Sequence, residues 1–268
     1  MRKNPLIDRL QSGSLSPALN GWLVLGSPSI AENMAHQPWD ALTIDMQHGL
    51  SDFETTVHML RAISTTGVTP MVRVPWLESG IIMRILDAGA YGIICPMINT
   101  QADCEAFVSA CRYAPQGGRS FGPTRAPLYG GSDYWKGANE NVLAFAMIET
   151  RQAVENLDAI LSVPGLNGVY IGPADLSLSL GYDPVDDQAH PEVLSVIERI
   201  RSGAQRAGKF TIMHCSAFDY ARHMHAQGFS MLTVSNDARL LAHAQQQLFG
   251  MFKEPEPANA SAKSSGSY

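Results

Sequence analysis

Four polar clusters, each following a short apolar run, carry the residue types that could do chemistry. They are Asp45-Met46-Gln47-His48-Gly49, Arg73, Glu149-Thr150 and Gly172-Pro173-Ala174-Asp175, with His214 as a further polar group after Lys209–Met213. Glu149 and Asp175 are two hard oxygen donors, and such a pair can hold one divalent ion, with water and substrate oxygens completing the shell. The competing reading places each acid at a helix start, where negative charge is stabilising. No HxxxH pair or cysteine cluster accompanies them, which argues against a closed zinc site. His48 is the candidate base, since imidazole titrates near neutrality; the alternative is a hydrogen-bonded structural histidine. Arg73 could grip a carboxylate through two nitrogens or sit in a salt bridge at a barrel rim. Gly172 and Pro173 leave room for the N–H groups of Ala174 and Asp175 to face an anion at a helix start. None of the five lysines (Lys3, Lys136, Lys209, Lys253, Lys263) follows a strand as a Schiff-base amine does. Carbanion chemistry in this chain therefore needs another electron sink, and a metal at an enolate oxygen is the available one.

These groups are far apart in sequence, so the fold must bring them together. Apolar runs read as strands at Gly21–Leu25, Ala41–Asp45, Thr69–Val74, Tyr91–Cys95, Val142–Ile148, Gly168–Ile171, Lys209–Met213 and Phe229–Val234. Amphipathic helices follow, among them Asp52–Thr66, Ser79–Asp87, Gln101–Tyr113, Pro191–Gly208 and Asp237–Phe252. Short strands that are apolar throughout are strands buried on both faces. An eightfold βα alternation over 268 residues predicts an α/β fold, a closed (β/α)8 TIM barrel. No GxGxxG follows the first strand, which weighs against a dinucleotide-binding open sheet. In the barrel the strand-end clusters all meet on one rim.

The remaining features bound the function. Charged residues make up 16% and the net charge is −6, without a Lys/Arg run, so no nucleic-acid or anionic-membrane surface is expected. No apolar stretch is long enough to span a bilayer. Cys95, Cys104, Cys111 and Cys215 form no CxxC pair and read as reduced thiols of a cytoplasmic protein. The Gly-rich, aromatic segment Gln116–Asn141 is too long for a plain connection. It is expected to be a rim loop that covers the active site or contacts another subunit, with Arg119 and Arg125 available to a distal acid group or to the interface. Residues 1–252 are expected to form a single domain, and 253–268 a disordered tail.

Several motifs carry a resemblance over about Gly21 to Phe252: Asp45–Gly49 (DMQHG), Val72–Pro75 (VRVP), Leu86–Met97 (LDAGAYGIICPM), Arg112–Gly122, Met147–Thr150 (MIET) and Gly168–Tyr182 (GVYIGPADLSLSLGY). At these residues the chain resembles the HpcH/HpaI aldolase/citrate lyase family, on its metal-dependent pyruvate aldolase side. The resemblance implies a phosphoenolpyruvate/pyruvate-type barrel and a class II aldolase. Such an enzyme reversibly cleaves a 4-hydroxy-2-oxo acid to pyruvate and an aldehyde through a metal-bound pyruvate enolate, in aromatic or sugar-acid catabolism. It implies Mg²⁺, Mn²⁺ or Co²⁺ on Glu149 and Asp175, substrate binding by Arg73 and by Gly172, Pro173 and Ala174, and proton transfer by His48. It also implies a homo-hexamer, a dimer of trimers, in which Asp87 of a neighbouring subunit orients His48, with Asp45 as a supporting acid. Two positions depart from many relatives: Gln47 stands where Glu is common, and Met147 where Gln is common. They keep open a catalytically silent barrel, while the citrate lyase branch of the family implies a CoA-thioester lyase as the other alternative, which needs a nucleotide-binding surface that no motif here marks.

Overall fold

A computed structural model describes residues 1–14 and 16–253. Among them eight parallel strands close in sequence order: β1 (Ala18–Leu23), β2 (Ala41–Asp45), β3 (Thr69–Arg73), β4 (Gly92–Cys95), β5 (Leu143–Ile148), β6 (Gly168–Ile171), β7 (Phe210–Cys215) and β8 (Met231–Val234). Helix α1 (Pro5–Gln11) precedes β1. Helices α2 (Pro28–Ala35), α3 (Phe53–Ile63), α4 (Ser79–Asp87) and α5 (Gln101–Cys111) follow the first four strands in turn. The α5–β5 connection holds α6 (Ala126–Gly130) and α7 (Tyr134–Asn141). Beyond β5 come α8 (Arg151–Glu155) and α9 (Leu157–Leu161); beyond β6, α10 (Pro173–Leu180) and α11 (Pro191–Arg206). Helix α12 (Phe218–Ala226) follows β7, and α13 (Asp237–Lys253) follows β8. This is the (β/α)8 barrel that the alternation of apolar runs predicts.

Burial divides along the sheet. Outward residues such as Leu42, Ile44, Val72 and Ile93 pack under the helices. Inward residues including Trp22, Met71, Ile94, Phe145, Tyr170 and Ile212 fill the barrel. The seam between β8 and β1 pairs Asn20 with Thr233. Their side chains also bond there: Asn20 Nδ2 donates to Thr233 Oγ1 at 2.8 Å, and Thr43 Oγ1 donates to Asn20 Oδ1 at 2.9 Å.

The structure adds two features to the sequence reading. Helix α1 lies in the polar amino-terminal stretch. Its start is set by Asn4, whose side chain accepts from Leu6 N–H, and by Pro5 in the first turn. Leu6 is fully buried at the amino end of the barrel interior. The segment Gln116–Asn141 is the second. A helix-to-strand connection delivers the chain to the amino end of the next strand, so this segment lies at the rim opposite the strand-end clusters. It packs Tyr134 against Tyr91 and Tyr113, and Arg2 N–H donates to Gly130 O at 2.6 Å. The expected disordered tail lies outside the described residues, apart from Lys253.

Candidate active site

Seven residues singled out in the sequence converge on one cavity of about 330 Å³ at the carboxyl ends of the strands. Asp45 and His48 come from the end of β2, Arg73 from the end of β3, and Gly172, Pro173, Ala174 and Asp175 from the turn between β6 and α10. The register explains part of this: Asp45 and Arg73 are cross-strand partners in the β2–β3 ladder.

That pairing forms a two-pronged ion pair. Arg73 Nε donates to Asp45 Oδ1 at 2.8 Å, and Nη2 donates to Oδ2 at 2.6 Å. Asp45 is only 1% exposed and also accepts from Gln47 N at 3.0 Å, His48 N at 3.3 Å and Trp22 Nε1 at 3.3 Å. Burial alone raises its pKa; Arg73 and the two backbone N–H groups outweigh that and hold the carboxyl below its ordinary value. The two-pronged grip foreseen for Arg73 is thus spent on Asp45. The guanidinium keeps Nη1 and the second Nη2 hydrogen for the cavity. Its Cζ lies 4.9 Å from the centre of the Trp22 ring, a cation–π contact that fixes its plane.

His48 is exposed, and neither ring nitrogen has a hydrogen-bond partner among the described residues. Its backbone is pinned through Asp45 while its ring is left to the cavity.

Glu149 and Asp175 differ in setting. Asp175 is exposed on the cavity wall, in the first turn of α10. Glu149 is 2% exposed and lies beneath the wall, with Oε1 accepting from Met97 N–H at 2.8 Å. A methyl added to Gly172 would meet Glu149 Oε2 at 2.6 Å and the Met147 methyl at 3.0 Å. Glycine at 172 therefore keeps the space in which that oxygen sits. Burial pushes the Glu149 carboxyl up to about 7; the Met97 N–H opposes this, and the nearby Asp175 charge adds to it. The helix-start reading does not describe Glu149, because Thr150 caps α8 by accepting from Ala153 N–H. A buried acid with one N–H donor and a second acid beside it suits a hard divalent cation with an open shell. Among the described residues no group of three or more His, Cys, Asp or Glu is placed to hold a metal ion.

Gly172 supplies no capping side chain to α10. The first-turn N–H groups of Ala174 and Asp175 are thereby left for an anion.

Asp87 is not part of this cavity within one chain. It ends α4 at the amino-terminal rim, where Arg119 Nη2 donates to its Oδ1 at 2.7 Å. Arg119 Nη1 also donates to Tyr134 Oη at 3.1 Å. Arg125 donates to the Ala88 carbonyl and, at 2.9 Å, to Ser64 Oγ. Neither arginine reaches the carboxyl-end cavity of its own chain, so the contacts foreseen for them with a distal acid group are not made there.

Sequence reasoning passed over Trp22, Tyr170, Asp186, Asn236 and Arg239, which line the same cavity along with Met147 and His214. Asp186 Oδ2 accepts from Ser216 Oγ at 2.7 Å and from Arg239 Nη1 at 3.3 Å, tying the loop after α10 to the starts of α12 and α13. Gln47 keeps its side-chain Oε1 buried without a hydrogen-bond partner among the described residues. The only advance signal for Tyr170 and Trp22 was a hydroxyl and an indole N–H inside runs that otherwise read as apolar core.

The chain is similar in sequence and fold to proteins named as aldolases. Over 232 residues the chain is 46% identical to a hydroxypyruvate/pyruvate aldolase of Rhizorhabdus wittichii, covering 87% of this chain and 92% of that one. It is 35% identical over 257 residues to the 2-keto-3-deoxy-L-rhamnonate aldolase of Escherichia coli K12, covering 93% of each. A crystal structure of an HpcH/HpaI aldolase/citrate lyase family protein from Burkholderia cenocepacia J2315 superposes with a TM-score of 0.87. It is 33% identical and covers 93% of this chain and 99% of that one. Residues 20–244, nearly the whole barrel with its paired strand-end acids, match the HpcH/HpaI aldolase/citrate lyase family, and the chain belongs to it.

Proposed function

We propose that the protein is a class II aldolase that reversibly cleaves a 4-hydroxy-2-oxo acid to pyruvate and an aldehyde, with a divalent cation (Mg²⁺, Mn²⁺ or Co²⁺) held by Glu149 and Asp175. The observation that carries this reading is the buried Glu149 carboxylate, one oxygen on Met97 N–H and the other against Gly172, with Asp175 beside it. The names of the two aldolase relatives support the same reaction class. When bound, the cation supplies positive charge against the oxo and carboxylate oxygens, where charge accumulates as the carbon–carbon bond breaks.

The chain's own residues do the rest. Asp45 fixes the plane of Arg73, and the free edge of the guanidinium binds the substrate's oxo acid end. The N–H groups of Ala174 and Asp175, shaped by Gly172 and Pro173, add donors for its carboxylate. His48 takes the proton from the 4-hydroxyl, directly or through water, as C3–C4 breaks, and a proton returned to C3 gives pyruvate. Its ring has no orienting partner among the described residues, which supports a role for Asp87 of a neighbouring copy. Assembly as a hexamer, a dimer of trimers, is in keeping with the exposed Leu241, Leu248, Phe249 and Met251 along α13. The four cysteines are free and buried, in keeping with the reducing cytoplasm.

The test is cleavage coupled to pyruvate detection, with and without chelation. His48→Ala is expected to fold and to lose about 10²-fold or more in rate. Full cleavage by His48→Ala in a sample stripped of divalent ions overturns the proposal. A second expectation concerns Gly172→Ala. The added methyl displaces Glu149 Oε2, and Mn²⁺ affinity is expected to fall by about 10–100-fold, the range seen when groups supporting a ligand are altered. Titration calorimetry with Mn²⁺ and pyruvate checks it, with circular dichroism as the control for folding.

A further inference from the structure

The cavity continues past Arg73 to a wall formed by β7 and the segment after β8. His214, half-buried at the end of β7, stands there with its ring edge-on to Trp22, the centroids 5.2 Å apart. Its Nδ1 lies 2.7 Å from Tyr170 Oη.

A chain of hydrogen bonds fixes what the other ring nitrogen offers. Thr43 Oγ1 donates to Asn20 Oδ1, which turns the Asn20 amide so that Nδ2 donates to Thr233 Oγ1. Tyr170 Oη donates to the same Thr233 Oγ1 at 2.9 Å. The phenol proton is thereby used, and the phenol oxygen is left to accept from His214 Nδ1–H. Nε2 then carries a lone pair and has no partner among the described residues. The ring is also uncharged. Burial pushes its pKa down to about 4 in spite of Asp186, and Arg73 and Arg239 push the same way. An uncharged nitrogen lone pair recognises an O–H donor. It offers nothing to a methyl group and does not attract a carboxylate.

We infer that His214, positioned by Tyr170, is a specificity-determining residue for the aldehyde half of the substrate, selecting aldehydes that bear an alcohol hydroxyl over apolar aldehydes of the same size. The inference rests on the aldolase reading above, because only then does an aldehyde occupy the space beyond Arg73.

The experiment uses the full chain supplied with Mn²⁺ and pyruvate. Glycolaldehyde and propanal, which exchange a hydroxyl for a methyl at equal size, compete for the same pyruvate, and the product ratio is read. The wild type is expected to favour glycolaldehyde, and His214→Leu to lower that preference by about tenfold, the scale of one neutral hydrogen bond. Tyr170→Phe, which keeps the imidazole but frees Nδ1, is expected to lower it less. His214→Gln, which restores an acceptor oxygen, is expected to recover part of it. An unchanged preference in His214→Leu, or none in the wild type, overturns the inference. Should His214→Leu be inactive with both aldehydes, an unchanged preference in both Tyr170→Phe and His214→Gln overturns it instead. Exchange of the pyruvate C3 protons with solvent, without aldehyde, is measured in parallel on the wild type. Exchange without preference sinks only the role of His214. Absence of both exchange and aldol product sinks the aldolase reading itself.

Discussion

Arg73→Ala is expected to lower kcat/KM for cleavage by about 10²–10³-fold, the cost of removing one donor from a preorganised anion site. It is also expected to destabilise the fold. Asp45 would stay buried without its cation, and breaking a buried pair from one side costs about 3–5 kcal/mol. Three N–H donors remain on Asp45, from Trp22, Gln47 and His48, which places the cost at the lower end. The two effects separate in the double variant Arg73→Ala/Asp45→Asn. There the residual amide carries no charge, so stability returns in part while activity does not. Urea unfolding and steady-state cleavage of all three proteins check this. Arg73→Ala with wild-type kinetics removes Arg73 from the mechanism. The pair has a pH signature too. The Asp45 carboxyl is lowered in the fold, so its contribution is present above its unfolded value of 3.8 and is lost as pH falls through the lower folded one.

The metal-free protein is expected to lose stability as pH rises from about 4.5 to about 7, by about 3 kcal/mol from Glu149 alone. The sign follows from its raised folded pKa. Between the two values the unfolded chain has released the proton and the native state still holds it, so each step up in pH favours unfolding. Above about 7 both states are ionised and this contribution stops changing. Saturating Mn²⁺ is expected to flatten the slope by pairing with the carboxylate, and Glu149→Gln to abolish it. Thermal unfolding from pH 4 to 8, with chelator and with Mn²⁺, measures all three. Identical slopes with and without Mn²⁺ remove Glu149 from the cation site.

The fold was legible because each strand is an uninterrupted apolar run, and every strand foreseen overlaps one found. The boundaries were less so. The first strand reads as Gly21–Leu25 but runs from Ala18 to Leu23. The backbone N–H groups of Val24 and Leu25 are taken by the side chain of Asp237 at 2.9 and 3.1 Å, and no local pattern announces a partner so distant in sequence. The Asn4-Pro5 start of α1 was visible in the sequence, yet the surrounding polar residues hid it. Most site residues were legible because polar groups at the ends of apolar runs stand out. Tyr170 was not, because an aromatic in a buried strand looks the same whether it only packs or also bonds a histidine on the next strand. The segment Gln116–Asn141, expected over the active site or at a subunit contact, does not cover the cavity of its own chain, because a helix-to-strand connection reaches the opposite rim.

Asn20 also bears on how the ring is sealed. The first and last strands to be synthesised must find each other, and their mutual offset has no turn to set it. Sliding β8 by a single residue would turn Thr233 outward. The Asn20 amide would then be stranded in the barrel interior without its acceptor, at a cost of about 1–3 kcal/mol. An apolar seam would tolerate such a slip more readily. A polar side chain in the middle of the seam acts as a proofreader that rejects misaligned closure.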